Sequence, residues 1–119
     1  MKFKRLVASV VMGALFSGAA FAQVKVGVIS SSTGPIAMVG IPQKNSVPLM
    51  PTKVGNLTVQ YIPLDDGSDP TASVVAIKKL ISEENVDAII GPSGSPNAMG
   101  VIQFAAEAGV PLLAPVGTA

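Results

Sequence analysis

Two apolar segments in the last third of the chain are each followed by a short turn rich in glycine, proline and serine. Val86–Ile90 runs into Gly91–Gly94, after which Ser95 opens a helical segment, and Val110–Ala114 ends in Pro115–Thr118. Short apolar runs that alternate with helical segments predict buried parallel strands of an α/β sheet. Ligands bind outside the carboxyl ends of such strands, and a helix N-terminus there attracts anions. The pattern therefore predicts a site for a small anion rather than a catalytic centre.

The N-terminal segment has the three parts of a secretory signal peptide. A basic start, Met1–Arg5, is followed by the uncharged apolar run Leu6–Gly18 and by the small-residue site Ala20-Phe21-Ala22. A membrane anchor is the alternative, but a spanning helix needs about 20 apolar residues and this run is shorter. We therefore predict a signal peptide over residues 1–22 and one α/β domain over residues 23–119.

The composition after the predicted cleavage point excludes several classes of function. Five basic and seven acidic residues remain after residue 22, which gives a net charge of −2 and leaves no basic patch for nucleic acid. The chain has no Cys and no His, which excludes disulfides, thiolate metal sites, cysteine nucleophiles and histidine bases. We accordingly predict no cofactor, no metal site and no catalytic residues.

The remaining sequence alternates strands and helices, which predicts a parallel sheet with right-handed crossovers. Helices on both faces would explain why the strands are continuously apolar. The predicted elements are strands at Val24–Ile29, Leu57–Leu64, Val86–Ile90 and Val110–Ala114, and helices at Met38–Leu49, Pro70–Glu84 and Pro96–Ala108.

Capping residues and prolines refine the helix boundaries. Asp69 and Ser95 are the predicted N-caps of the second and third helices, and Gly109 is the predicted stop of the third. In the weaker first helix, Pro42 fits the first turn, whereas Pro48 is incompatible with a regular helix interior. The third helix is largely apolar, so we expect it to be heavily buried.

Five motifs occur in order along the chain: Val24–Ile29, Thr33-Gly34-Pro35, Asp65–Pro70, Val86–Pro92 and Gly109–Pro115. Together they resemble the first lobe of periplasmic substrate-binding proteins of the branched-chain amino acid (Leu/Ile/Val) type. That family has two α/β lobes and delivers ligands to an ABC transporter. The resemblance implies a truncated periplasmic binding protein type I-like lobe, an open parallel sheet with helices on both faces, with the second lobe absent.

The resemblance also implies which residues would contact a ligand. Ser95 corresponds to the hydroxyl that binds the ligand's carboxylate, and Thr118 to a residue that contacts both its amino and carboxylate groups. Val116 corresponds to a backbone carbonyl that accepts from the ammonium. A simple helix cap at Ser95 and an ordinary strand exit at Val116 and Thr118 are the alternatives. Val39 stands where some members carry an aromatic that covers the ligand.

The resemblance thus implies capture of an amino acid or related small carboxylate in the periplasm, with a membrane permease as partner. An exported α/β hydrolase fragment and the ligand-sensing domain of a receptor are rival interpretations, since folds host many functions. Asp65 and Asp66 could form a metal or phosphoacceptor pair or an acid–base pair. An acidic loop that caps the second helix through Asp69 is the simpler interpretation, because Asp is common in turns.

Overall fold

The computed structural model describes residues 22–116 as an α/β unit. Thr118 therefore lies outside the described residues, as does most of the predicted signal peptide. A short 3₁₀ turn at Val47–Leu49 follows the first helix. The strands and helices in chain order are β1 (Gln23–Ser30), α1 (Ala37–Ser46), β2 (Lys53–Val54), β3 (Leu57–Asp65), α2 (Pro70–Ser82), β4 (Ala88–Ile90), α3 (Ser95–Ala108) and β5 (Leu112–Leu113).

The sheet is mixed rather than fully parallel. Its strand order is β2-β3-β1-β4-β5, and β1 pairs in parallel with both β3 and β4, as does β4 with β5. Strand β2, however, pairs antiparallel with β3, so the prediction of an all-parallel sheet is wrong at this edge. The cause is the two-residue Gly55-Asn56 turn, in which Gly55 adopts φ +57° and closes a hairpin.

Helices cover both faces of the sheet, as predicted. Helices α2 and α3 pack together on one face, over a core of apolar side chains from the sheet and both helices. Successive strand residues point to opposite faces, so Val28 lies on the other face, where it borders α1 around Gln43. The buried core comprises Ile29, Ala76, Ile77, Leu80, Val86, Ile89, Val101 and Ala105.

Helix α1 is held close to the loop that follows β1. Gly40 makes this possible, because a Cβ atom there would lie 2.0 Å from the carbonyl oxygen of Ser31. The α-helix ends at Ser46, before Pro48, as the proline predicted. Pro42 lies in the helix interior rather than in the first turn, so it removes one helical hydrogen bond there.

The starts of α2 and α3 differ in how they are capped. Asp69 caps α2 as predicted, accepting a hydrogen bond from Thr71 N at 2.8 Å. For α3 the prediction of Ser95 as N-cap is wrong: Gly94 holds the cap position with extended backbone, and its carbonyl accepts from Ala98 N at 2.9 Å. Ser95 is already helical. Gly109 ends α3 in the left-handed region at φ +67°, as predicted.

The third helix is less buried than its apolar sequence predicts. Met99 is 68% exposed and Ile102 is 48% exposed. Both lie on the helix surface that the rest of the described chain leaves uncovered. No helix among residues 22–116 is long and apolar enough to span a bilayer.

Candidate ligand-binding site

The strand order creates a crevice at the carboxyl ends of β1 and β4. From β1 the chain crosses to β3 on one side, and α2 then returns it past β1 to β4 on the other side. The loops that follow β1 and β4 therefore diverge and leave a space between them, which is where open α/β sheets bind ligands.

A cleft of about 680 Å³ opens at this place. Its walls are mainly apolar, with four prolines and two branched side chains, and its polar groups come from serines and one asparagine. Among residues 22–116, no charged side chain lines it. The lining residues are Pro35, Ile36, Val39, Ser68, Pro70, Ser93, Gly94, Ser95, Pro96, Asn97 and Pro115.

The N-terminus of α3 forms one end of the cleft. Its N-cap, Gly94, has no side chain, and no side-chain cap hydrogen bond is made there. The first turn of a helix has backbone N–H groups without intrahelical acceptors, and Pro96 contributes none because it lacks an N–H. The N–H groups of Ser95 and Asn97 are thus left for an acceptor outside the helix. Together with the half-buried Ser95 hydroxyl and the helix dipole, they favour a carboxylate or other small anion.

The hydroxyl of Ser93 is hydrogen bonded within the protein. The residue is 5% exposed, and its hydroxyl accepts a hydrogen bond from Ser31 N at 3.0 Å while donating to the side-chain oxygen of Gln43. This arrangement ties together the loop after β4, the loop after β1 and helix α1. Gly91 makes the same approach possible, because its φ is +109° and a Cβ there would lie 2.0 Å from the carbonyl oxygen of Ile29.

Of the other residues that the resemblance implied, Val39 and Val116 fall at or near this cleft, and Thr118 lies outside the described residues. Val39 lines the cleft with an aliphatic side chain that is 46% exposed. Pro115 also lines it. Val116 is half-buried just beyond, with its N–H donating to Ala114 O at 2.9 Å, but it does not line the cleft. The structure thus brings Ser95 and the exit of β5 to one place.

Asp65 and Asp66 hold loops together instead of forming a reactive pair. Asp65 accepts from Ser32 N at 2.9 Å and from the Thr33 hydroxyl at 2.7 Å. Burial on its own raises the pKa of Asp65, but hydrogen bonds from Gly67 and Thr33 outweigh it and hold that pKa below 3.8. Within residues 22–116, no three His, Cys, Asp or Glu side chains are grouped so that they could hold a metal ion.

Asp66 has a structural importance that the sequence interpretation missed. Its side chain is 1% exposed and fully hydrogen bonded, rather than lying in a solvated acidic loop. The alternation of side chains between the two faces of strand β3 could have indicated this burial. Ile62 and Leu64 pack against the core beneath α2, and side chains two residues apart share a face, so Asp66 continues toward the same buried side.

This geometry defines a class of structure: an α/β lobe with a cleft at the carboxyl ends of its strands. Residues 23–119 match the family described as periplasmic binding protein, and the chain belongs to that family. It is 30% identical over 125 residues to the Leu/Ile/Val-binding protein BraC3 of Rhizobium johnstonii, covering all of this chain and 34% of that relative. The chain therefore spans about a third of the length of this curated relative.

Solved structures show the same fold. An extracellular ligand-binding receptor from Rhodopseudomonas palustris HaA2 is 42% identical and superposes with a TM-score of 0.80, over 82% of this chain and 27% of the other. An ABC transporter solute-binding protein from Rhodopseudomonas palustris BisB5, in complex with 3,4-dihydroxybenzoic acid, is 28% identical with a TM-score of 0.76. That match covers 81% of this chain and 28% of the other. The α/β prediction and the resemblance are therefore confirmed, apart from the antiparallel edge strand.

Proposed function

We propose that this chain contributes the first lobe of a binding protein that captures a small carboxylate ligand in the periplasm and delivers it to an ABC transporter. In this proposal, residues 1–22 direct export across the inner membrane and residues 23–119 form the lobe. The ligand would be held between this lobe and a second one, as in two-lobed relatives. A membrane permease would be the macromolecular partner.

The observation that supports the proposal most is the open N-terminus of α3 at the end of an apolar cleft. In the proposal, the free N–H groups of its first turn and the Ser95 hydroxyl would donate to the ligand's carboxylate, with the helix dipole adding to the attraction. Val116 would contribute its backbone carbonyl, and Thr118 its backbone and hydroxyl groups. The apolar walls, including Ile36 and Val39, would contact the body of the ligand.

Binding without chemical reaction is the function that this set of groups supports. A serine nucleophile needs an adjacent base, and the chain contains no His. The family and the relatives are binding proteins. An amino acid and an aromatic acid are both suitable ligands, since both carry a carboxylate on a compact body.

The proposal is tested by NMR titration of the chain from residue 23 onward, which detects the weak binding expected of a single lobe. The probes are L-leucine and 3,4-dihydroxybenzoate, each paired with the amide that replaces its carboxylate, L-leucinamide or 3,4-dihydroxybenzamide. We expect at least one carboxylate to shift the backbone amide signals of Gly94, Ser95, Asn97 and Ala98, and its amide analogue to shift them far less.

Ser95→Ala should weaken the binding of that carboxylate by roughly tenfold, corresponding to about 1.4 kcal/mol for one charge-assisted hydrogen bond. The matched control is Ser82→Ala, because Ser82 is exposed at the end of α2, where its hydroxyl donates to Lys78 O. Signal changes confined to residues outside the cleft, or equal effects of the two substitutions, would refute the assignment.

A further inference from the structure

The buried carboxyl group of Asp66 connects the elements that surround the cleft. Its Oδ1 atom accepts from the Ser31 hydroxyl at 2.7 Å and from Ser68 N at 3.0 Å. Its Oδ2 atom accepts from the Ser73 hydroxyl at 2.7 Å and from Asn97 Nδ2 at 2.8 Å. We call these residues, with Asp66 at their centre, the Asp66 cluster. Its members come from the loop after β1, the loop before α2, and the first turns of α2 and α3.

Asn97 is the member that links the cluster to the ligand site. It is the third residue of α3, two positions after Ser95, and it is 3% exposed. Its side-chain amide donates to Asp66 and also contacts the Ser73 hydroxyl at 2.8 Å. Its backbone N–H, by contrast, belongs to the open first turn. The same residue thus attaches the helix through its side chain and contributes a backbone N–H to the first turn.

Helices α2 and α3 differ in whether a side chain caps the N–H groups of the first turn. Helix α2 has a side-chain cap, in which Asp69 accepts from a first-turn N–H. A cap of that kind on α3 would occupy the N–H groups that an anionic ligand needs. Helix α3 has none, and without a cap the first turn of a helix tends to fray. Attachment through the Asn97 side chain fixes the start of α3 and leaves its backbone donors open.

We propose that Asp66 is a positioning residue for the ligand site: through Asn97 it holds the first turn of α3 in a ligand-ready orientation without contacting the ligand. This inference rests on the proposed function, in which a ligand uses the free N–H groups of α3. It explains why the start of α3 is ordered although it has no side-chain cap. It predicts that breaking the cluster loosens the start of α3 more than it loosens the fold as a whole.

Amide hydrogen exchange of the ligand-free chain, from residue 23 onward, tests this directly. The reporter is Ala98 N, which makes the first hydrogen bond of α3 to Gly94 O, and the reference is Ile89 N, which donates to Pro111 O in the sheet. In Asn97→Ala, we expect exchange at Ala98 to accelerate at least tenfold more than exchange at Ile89. Parallel acceleration at both amides would show that the cluster supports only general stability and would overturn the proposal.

Asp69→Ala is the matched control, because it removes a helix-start interaction from α2 but leaves the Asp66 cluster intact. It should accelerate exchange in the first turn of α2 and leave the ratio of Ala98 to Ile89 unchanged. A fall in Ala98 protection in this control equal to that in Asn97→Ala would also count against the proposal.

A double variant, Asp66→Asn with Asn97→Asp, distinguishes loss of the hydrogen bond from general destabilisation by the substitutions. It also provides the test if the single variant does not fold. The side-chain amide introduced at position 66 would donate to the carboxylate introduced at position 97, so the hydrogen bond is kept with its polarity reversed. We expect Ala98 protection to return to within about threefold of the original, a difference of about 0.65 kcal/mol. No recovery in a folded double variant would overturn the proposal.

Ligand titrations add a second readout. In Asn97→Ala, affinity for whichever of L-leucine and 3,4-dihydroxybenzoate binds the unmodified chain should fall at least fivefold, with no such fall in Asp69→Ala. If neither probe binds the unmodified chain, the proposed function fails for these ligands, while the exchange experiment, which needs no ligand, still decides whether Asp66 positions α3.

Discussion

Two glycines in helices provide a sharp test of the packing described above, because the same substitution should have opposite effects. Gly40 is the fourth residue of α1 and Gly100 is the sixth residue of α3. Alanine favours a helix over glycine by about 1 kcal/mol in each case. The difference must therefore come from what the added methyl group meets.

At Gly40 the added Cβ would lie 2.0 Å from the carbonyl oxygen of Ser31 and 2.2 Å from its carbon. These are backbone atoms next to a buried strand, so α1 would have to move by about 1 Å, and overpacking of this kind costs about 3 kcal/mol at the upper end of its range. After the gain in helix propensity, we expect a net loss of about 2 kcal/mol. At Gly100 the nearest atoms, Pro70 O and Val74 Cγ2, are 3.9 Å away, so the gain of about 1 kcal/mol should be kept.

Thermal unfolding followed by circular dichroism measures both effects. A domain of this size changes its Tm by about 4–8 °C per kcal/mol, so Gly40→Ala should lower Tm by about 8–16 °C and Gly100→Ala should raise it by about 4–8 °C. Movement of α1 should also shift the NMR signals of Val39 in the cleft wall. A Gly40→Ala variant as stable as the original chain would show that α1 does not approach the strand as closely as described, and would refute the reasoning.

Three further predictions follow from single interactions. Asp69→Ala should destabilise the domain by about 1 kcal/mol through loss of the α2 cap, and a change in the urea midpoint of unfolding with unchanged slope would show it. The pKa of Asp65 is lowered in the folded state, so its contribution to stability is present above pH 3.8 and is lost as the pH falls through the folded value. Asp65→Asn should therefore lose less stability than the original chain as the pH falls below 3.8, in acid titrations followed by fluorescence of an added apolar dye; equal losses would contradict the assignment. Finally, mass spectrometry of the exported protein should find Gln23, or a residue within two of it, at the N-terminus, whereas a product that retains Lys2 would rule out the predicted cleavage.

The positions of most strands and helices were predictable because local chemistry decides them. The pair Asp69 and Pro70 starts α2, Gly109 stops α3, and Pro48 ends α1, each through a backbone requirement confined to its own turn. A local signal also existed for the antiparallel strand β2, which the prediction missed, since Gly55-Asn56 between two strand segments is a hairpin sequence.

The site was predictable in its location but not in its internal design. Alternating strands and helices bring the loops after β1 and β4 to one edge of the sheet, so the place of the cleft follows from the order of elements. Whether Ser95 or Gly94 caps α3 depends on the backbone angles with which the loop enters the helix. Those angles are set by contacts with β1 and α1 through Ser93 and Gly91, which are distant in sequence from their partners.

Asp65 and Asp66 show most clearly what the sequence determines and what only the tertiary structure decides. The sequence by itself determined that a polar turn follows β3, because Asp, Gly, Ser and Pro cluster there. Only the tertiary structure decided that Asp65 remains near the surface while Asp66 turns into the interior. Burying a carboxyl group is costly unless donors surround it, and the donors of Asp66 come from Ser31 and Asn97, 35 and 31 residues away along the chain. No local pattern can show that these groups meet, because the folding of the sheet and its helices brings them together.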